Sequence, residues 1–103
     1  MSDIRIRASM QGDTADIRCL MNHEMETGLR KDSKTGQVVP AHFITNVLVT
    51  VAGKTVMDAQ WGGGISKNPF LGLRVKGAKN GDEVVVSWVD NKGGKSESKA
   101  KIG

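Results

Sequence analysis

The sequence predicts an all-β, immunoglobulin-like β-sandwich of about seven strands. Three observations carry that expectation. Short segments alternate apolar and polar residues with a period of two. Clusters of Gly, Asn and Asp separate them at regular intervals. No segment carries the 3.6-residue apolar period of a helix. The 103 residues suffice for one domain, 1–103.

The elements follow in order. Ile4–Ala8 alternates Ile and Arg, as a half-buried strand should. Gln11-Gly12-Asp13 is a hairpin-type turn. Ala15–Met21 follows, with Ile17, Cys19 and Met21 on one face. Segment 22–40 is too polar and turn-rich to be core, and it is long for a plain connection. Phe43–Ala52 is a central strand rich in β-branched residues. Gly53-Lys54 turns it into Thr55–Trp61, and Gly62-Gly63-Gly64 then breaks the pattern. Phe70–Lys76 and Val84–Val89 are strands separated by the turn Lys79-Asn80-Gly81-Asp82, and the second places Val84, Val86 and Trp88 on one face. A hairpin turn at Asp90–Gly94 leads to Ser96–Ile102, whose lysines mark it as an edge. The Cys…Trp…Cys framework of antibody domains is absent, and Trp88 is the candidate to fill that core role.

Composition narrows the function. Apolar residues make up 38%, enough for one modest core. The densest apolar run, Val47–Ala52, is far short of the roughly 20 residues that span a bilayer. The start, Met1–Arg7, lacks the apolar region of a secretory signal, which taken alone points to the cytoplasm or to export by another route. The net charge of +4 comes from scattered basic residues, and only Lys92–Lys101 is locally basic. Four aromatics and no Tyr are poor equipment for stacking on bases, so nucleic-acid binding is not expected.

Chemical motifs fail one by one. His23-Glu24 begins like a zinc-protease motif, but Thr27 stands where the second His belongs. His23, Glu24, Glu26 and His42 could supply metal ligands, and a metal or redox enzyme using His23 and His42 is the alternative reading. Their spacing matches no known pattern, so loop hydrogen bonding is the expectation. Superoxide-reductase-type iron sites also sit on sandwiches, but need several histidines plus a cysteine. Cys19, the sole cysteine, falls on the apolar face and is expected to be a small buried hydrophobe. Gly93-Gly94-Lys95-Ser96 ends like a phosphate loop, but Val89 stands where the first Gly is required.

Three blocks carry a resemblance: His23–Asp32, Pro40–Ile44 and Ser66–Leu71. Lys76-Gly77-Ala78-Lys79, Gly81-Asp82 and Trp88–Gly93 add to it. Together, in order along essentially the whole chain, they closely resemble the SoxZ family. These are small subunits of the SoxYZ carrier complex of bacterial thiosulfate oxidation. The resemblance implies an immunoglobulin-like, non-catalytic subunit without a cofactor that forms a heterodimer with SoxY. It implies that SoxY carries the sulfur on a cysteine near its C-terminus, in a Gly-Gly-Cys-Gly-Gly arm that this sequence lacks. It also implies a periplasmic address reached with SoxY, and transient contact with the SoxAX haem enzyme, the SoxB hydrolase and the SoxCD dehydrogenase. Cys19 does not match the carrier setting. The candidate partner-contact residues are His23, Glu24, Met25, Arg30, His42, Phe43, Asn68, Pro69 and Phe70. Burial tendency favours the core for Phe43, Trp61 and Phe70, with partner contact the alternative.

Overall fold

A computed structural model describes residues 4–65 and 67–103. Ser66, part of one resembling block, and Met1–Asp3, part of the reading of the chain's start, lie outside the described residues. Seven strands form: β1 Ile4–Gln11, β2 Thr14–Met21, β3 Ile44–Val51, β4 Lys54–Gln60, β5 Phe70–Lys76, β6 Glu83–Asp90 and β7 Lys95–Lys101. They make two antiparallel sheets, ordered β1-β2-β5 and β4-β3-β6-β7. Strands β1, β2 and β5 stand where immunoglobulin strands A, B and E do, and β3, β6 and β7 where C, F and G do.

Alternation decides which residues face inward. Ala15, Ile17, Cys19 and Met21 are buried on β2, facing Val47, Val49 and Val51 of β3 and Val84, Val86 and Trp88 of β6. β7 is an edge, and Lys95, Glu97, Lys99 and Lys101 on it are exposed. A row of charges of this kind resists pairing with another chain.

Two hairpins depart from the sequence pattern, one by tightening and one by a shift. Gln11 pairs with Thr14, so β1 runs three residues past Ala8 and the loop is only Gly12-Asp13. Val51 pairs with Lys54, which makes Ala52-Gly53 the loop in place of Gly53-Lys54. Both of its residues have positive φ, 51° and 80°. That is the two-residue turn whose twist matches the flanking strands, and it moves the turn one residue earlier.

Removing the heart of the core should be costly. Ile17→Ala is expected to lower unfolding free energy by about 2–5 kcal/mol, since a fully buried side chain leaves a cavity. A urea titration checks this: the midpoint should fall with the slope unchanged.

Candidate functional site

Antiparallel connectivity places the 22–43 connection, the 61–69 connection and the β6–β7 turn at one end of the sandwich. The resembling blocks at His23–Asp32 and Pro40–Ile44, the described part of the third, Lys67–Leu71, and Trp88–Gly93 contribute to this pole.

The pole is organised around the carboxylate that ends β6. His23 Nε2 lies 3.0 Å from Asp90 Oδ2, and His42 Nε2 lies 2.8 Å from the same oxygen. The other oxygen accepts the backbone N–H of Lys92 at 3.0 Å and of Gly94 at 2.7 Å. A Cβ at Gly94 would stand 2.7 Å from Asp90 Oδ2, so Gly94 serves close approach to this carboxylate, and Gly93 supplies the positive φ of 83° in the turn. His23 and Asp90 are each only 6% exposed. Burial alone would raise the Asp90 carboxyl, but hydrogen bonds from His23, His42, Gly94 and Lys92 outweigh it and hold the group at about 2.

The hydrogen-bond pattern fixes the His23 tautomer. The Met25 N–H donates to His23 Nδ1 at 3.1 Å. The proton of the neutral ring therefore sits on Nε2 and is donated to Asp90. The three groups come close enough to hold a metal ion, with ligand atoms within 4.8 Å of one another. A metal on His23 Nε2 would move the proton to Nδ1, against the Met25 N–H. Metal-ligating histidines normally donate from their second nitrogen, and this one accepts. The arrangement fits a hydrogen-bonded hub better than a metal centre. His42 is less enclosed, and its Nδ1 stands 3.7 Å from Glu24 Oε2. The Trp88 ring stands edge-on to His23, with centroids 4.9 Å apart.

Further ties clamp the loops to this hub. Asn91, next after Asp90, accepts the Phe43 N–H at 2.8 Å and donates to the Ala41 carbonyl at 2.9 Å. Asn68 Oδ1 accepts the His23 N–H, and the Asn68 N–H donates back to the His23 carbonyl. Glu26 and His42 form an isolated β-bridge, and Arg30 grips Glu26 through two nitrogens at 2.8 and 3.1 Å. Hydrogen bonding to Arg30 lowers the Glu26 carboxyl. Beyond it, Lys31 bridges Val38, and Asp32 Oδ1 caps the turn by accepting the Lys34 N–H. Two non-glycine residues of the pole sit in the left-handed region, Met25 at φ 50° and Asn68 at φ 51°. Asn tolerates this; a buried Met is strained there, and the neighbouring hydrogen bonds hold it.

The sequence-predicted residues separate by burial. His23, Met25 and Pro69 are buried and offer no surface for direct contact; they shape the loops from beneath. His42 and Phe43 are half-buried. Glu24, Arg30, Asn68 and Phe70 are exposed. Phe70 is 64% exposed, so the burial tendency of large aromatics fails for it, while Phe43 and Trp61 pack against the core. Sequence reasoning brought His23 and His42 together but missed Asp90, read as a plain turn residue. It also missed Leu29, which is 87% exposed at the pole. Cys19 is fully buried, and burial pushes its thiol up to about 11.

Comparison with known proteins places this geometry. The family described as "Sulphur oxidation protein SoxZ" matches residues 4–101. A search of curated protein sequences finds no match. Among solved structures, a variant of superoxide reductase (neelaredoxin) from Ignicoccus hospitalis is similar at TM-score 0.65 and 14% identity, covering 98% of this chain and 78% of that one. The same enzyme without the substitution gives TM-score 0.60 at 14% identity, covering 96% and 77%. Hypothetical protein PH1083 from Pyrococcus horikoshii OT3 gives 0.63 at 14%, covering 97% and 87%. At that identity the likeness extends to the fold alone.

Two outcomes test the hub and the thiol. Asp90→Asn must turn an NH2 toward either the His23 Nε2–H or two backbone N–H donors, and is expected to cost about 3 kcal/mol. Because the folded carboxyl lies below its ordinary value of 3.8, its stabilisation is complete above that pH and is lost as pH falls towards about 2. The wild-type urea midpoint should fall over that window, and the part due to Asp90 should vanish in Asp90→Asn. Separately, Cys19 should resist Ellman's reagent at pH 8 in the native protein and react fully in denaturant.

Proposed function

The chain belongs to the SoxZ family of sulphur oxidation proteins, and we propose that it acts as the non-catalytic subunit of a sulfur-carrier complex, docking SoxY through the loop pole. One observation carries this reading. The three main resembling blocks and Trp88–Gly93 contribute to one pole whose backbone is fixed from beneath by the Asp90 hub, while Lys76–Lys79 and Gly81-Asp82 lie at the opposite end. A surface held rigid before binding loses less freedom on association. Its exposed members are suited to contact: Leu29 and Val38 present apolar area, while Arg30 and Glu24 supply charge at the rim.

The burial of the lone thiol fits a subunit that presents chemistry carried elsewhere. Cys19 is buried and its thiol is protonated at neutral pH. The two imidazoles are engaged by Asp90. On this reading the sulfur intermediates ride on a cysteine of SoxY, and the pair visits SoxAX, SoxB and SoxCD in turn. The address is periplasmic, and this chain reaches it together with SoxY.

Co-expression with the SoxY from the same genome should yield a stable one-to-one heterodimer by size-exclusion chromatography and native mass spectrometry. Elution of two separate proteins overturns the proposal. Leu29→Asp, at an exposed position of the pole, is expected to weaken the complex about tenfold or more without lowering the melting temperature. A Cys19→Ser complex should still accept sulfur on the partner; a sulfur adduct located on Cys19 by mass spectrometry would reverse the assignment.

A further inference from the structure

Away from the loop pole, the outward face of the three-stranded sheet concentrates one residue type. Of the five arginines, Arg5 and Arg7 on β1, Arg18 on β2 and Arg74 on β5 share this face, and all four are exposed. The fifth, Arg30, is paired with Glu26. The ten lysines lie almost entirely elsewhere; only Lys76 joins the face. Among the described residues Asp16 is the one carboxylate that the strands place there, 3.2 Å from Arg18.

The register makes this unfavourable for folding. Arg7 stands directly opposite Arg18 on the neighbouring strand. Like charges at such positions destabilise a sheet. The Asp16 carboxylate offsets part of this at Arg18, while Arg7 has no ion-pair partner among the described residues. At the end of the face nearest the pole, Leu20 pairs with Phe70, and the two are 45% and 64% exposed. Gly72, opposite Arg18, contributes no side chain, and the Phe70 ring leans towards it: a Cβ there would meet the ring at 3.4 Å. A glycine inside a strand weakens it, and here its missing side chain leaves room for the exposed Phe70 ring to lie over the sheet. Shallow grooves on either side of Asp16 and Arg18 run between Arg7, Gln11 and Arg74.

We infer that this face docks an acidic protein surface carrying an apolar anchor, with carboxylates on the arginine rows and the anchor beside Leu20 and Phe70. Guanidinium groups match carboxylates in a two-pronged geometry and shed water more readily than ammonium groups. Arg and aromatics are enriched at protein interfaces and Lys is depleted, which is the composition seen here. A nucleic acid fits less well, because single strands want aromatic platforms spaced along the groove and this face has one ring at one end. The inference is independent of what occupies the loop pole.

The test uses the isotope-labelled full chain at low salt, titrated with a short oligo-glutamate peptide bearing one central phenylalanine. Shift changes should map to the Arg5, Arg7, Arg18 and Arg74 side chains and to the Leu20 and Phe70 amides, leaving the lysine edge of β7 unmoved. The peptide without phenylalanine should bind about threefold more weakly or worse. The double variant Arg5→Gln/Arg7→Gln should bind about tenfold more weakly, while melting no lower than the wild type, because the Arg7–Arg18 like-charge contact is removed and the Arg18–Asp16 ion pair is kept. Shifts spread equally onto Lys95, Lys99 and Lys101 would reduce the effect to general charge and overturn the inference. So would the absence of shifts, or a DNA oligonucleotide binding this face more tightly than the peptide.

Discussion

The loop pole depends on one carboxylate. Asp90 closes a central strand of the larger sheet, and its two oxygens receive four hydrogen bonds from three separate stretches of chain. Buried without partners, such a charge would be expelled or neutralised. Surrounded by four donors it stays ionised, and each donor is thereby fixed in place. Through His23 it sets the start of the 22–43 connection, through His42 the end of it, and through Gly94 the turn into β7. Asn91 and Asn68 extend the same order to the neighbouring backbone. A long polar segment with little core of its own acquires one conformation because its histidines terminate on a strand.

The seven strands were legible because each carries its signal locally. Ile4-Arg5-Ile6-Arg7 and Val84-Val85-Val86 alternate or cluster as a pleated, half-buried surface requires, and the lysines of Lys95–Lys101 announce an edge. Turn positions slipped by a residue where the hairpin twist demanded positive φ at Ala52 as well as Gly53. The hub was not legible, since His23 and Asp90 are 67 residues apart and no local pattern links them. An aspartate beside Asn-Lys-Gly-Gly resembles any hairpin turn. Phe70 ran against its type for a related reason: burial tendency is an average, and strand parity put this ring on the solvent side opposite Leu20.

The distribution of reactive groups separates packing from presentation. The thiol is spent inside the sandwich, and the imidazoles hold up the loops. What remains for solvent is shape, charge and a few apolar side chains, arranged as two surfaces. One is the loop pole, braced by hydrogen bonds. The other is a flat arginine-bearing sheet face, braced by the strand ladder beneath it. The first owes its geometry to long-range contacts and the second to local alternation.

That difference has a consequence for biogenesis. The arginine face needs β5 at the latest, but the pole needs Asp90 and Asn91, which lie on the penultimate strand and just beyond it. Contacts of such sequence separation close late, and a chain still being synthesised cannot make them. The pole therefore forms only once β6 and the turn after it have been made, and a chain cut short before Asp90 carries no such surface.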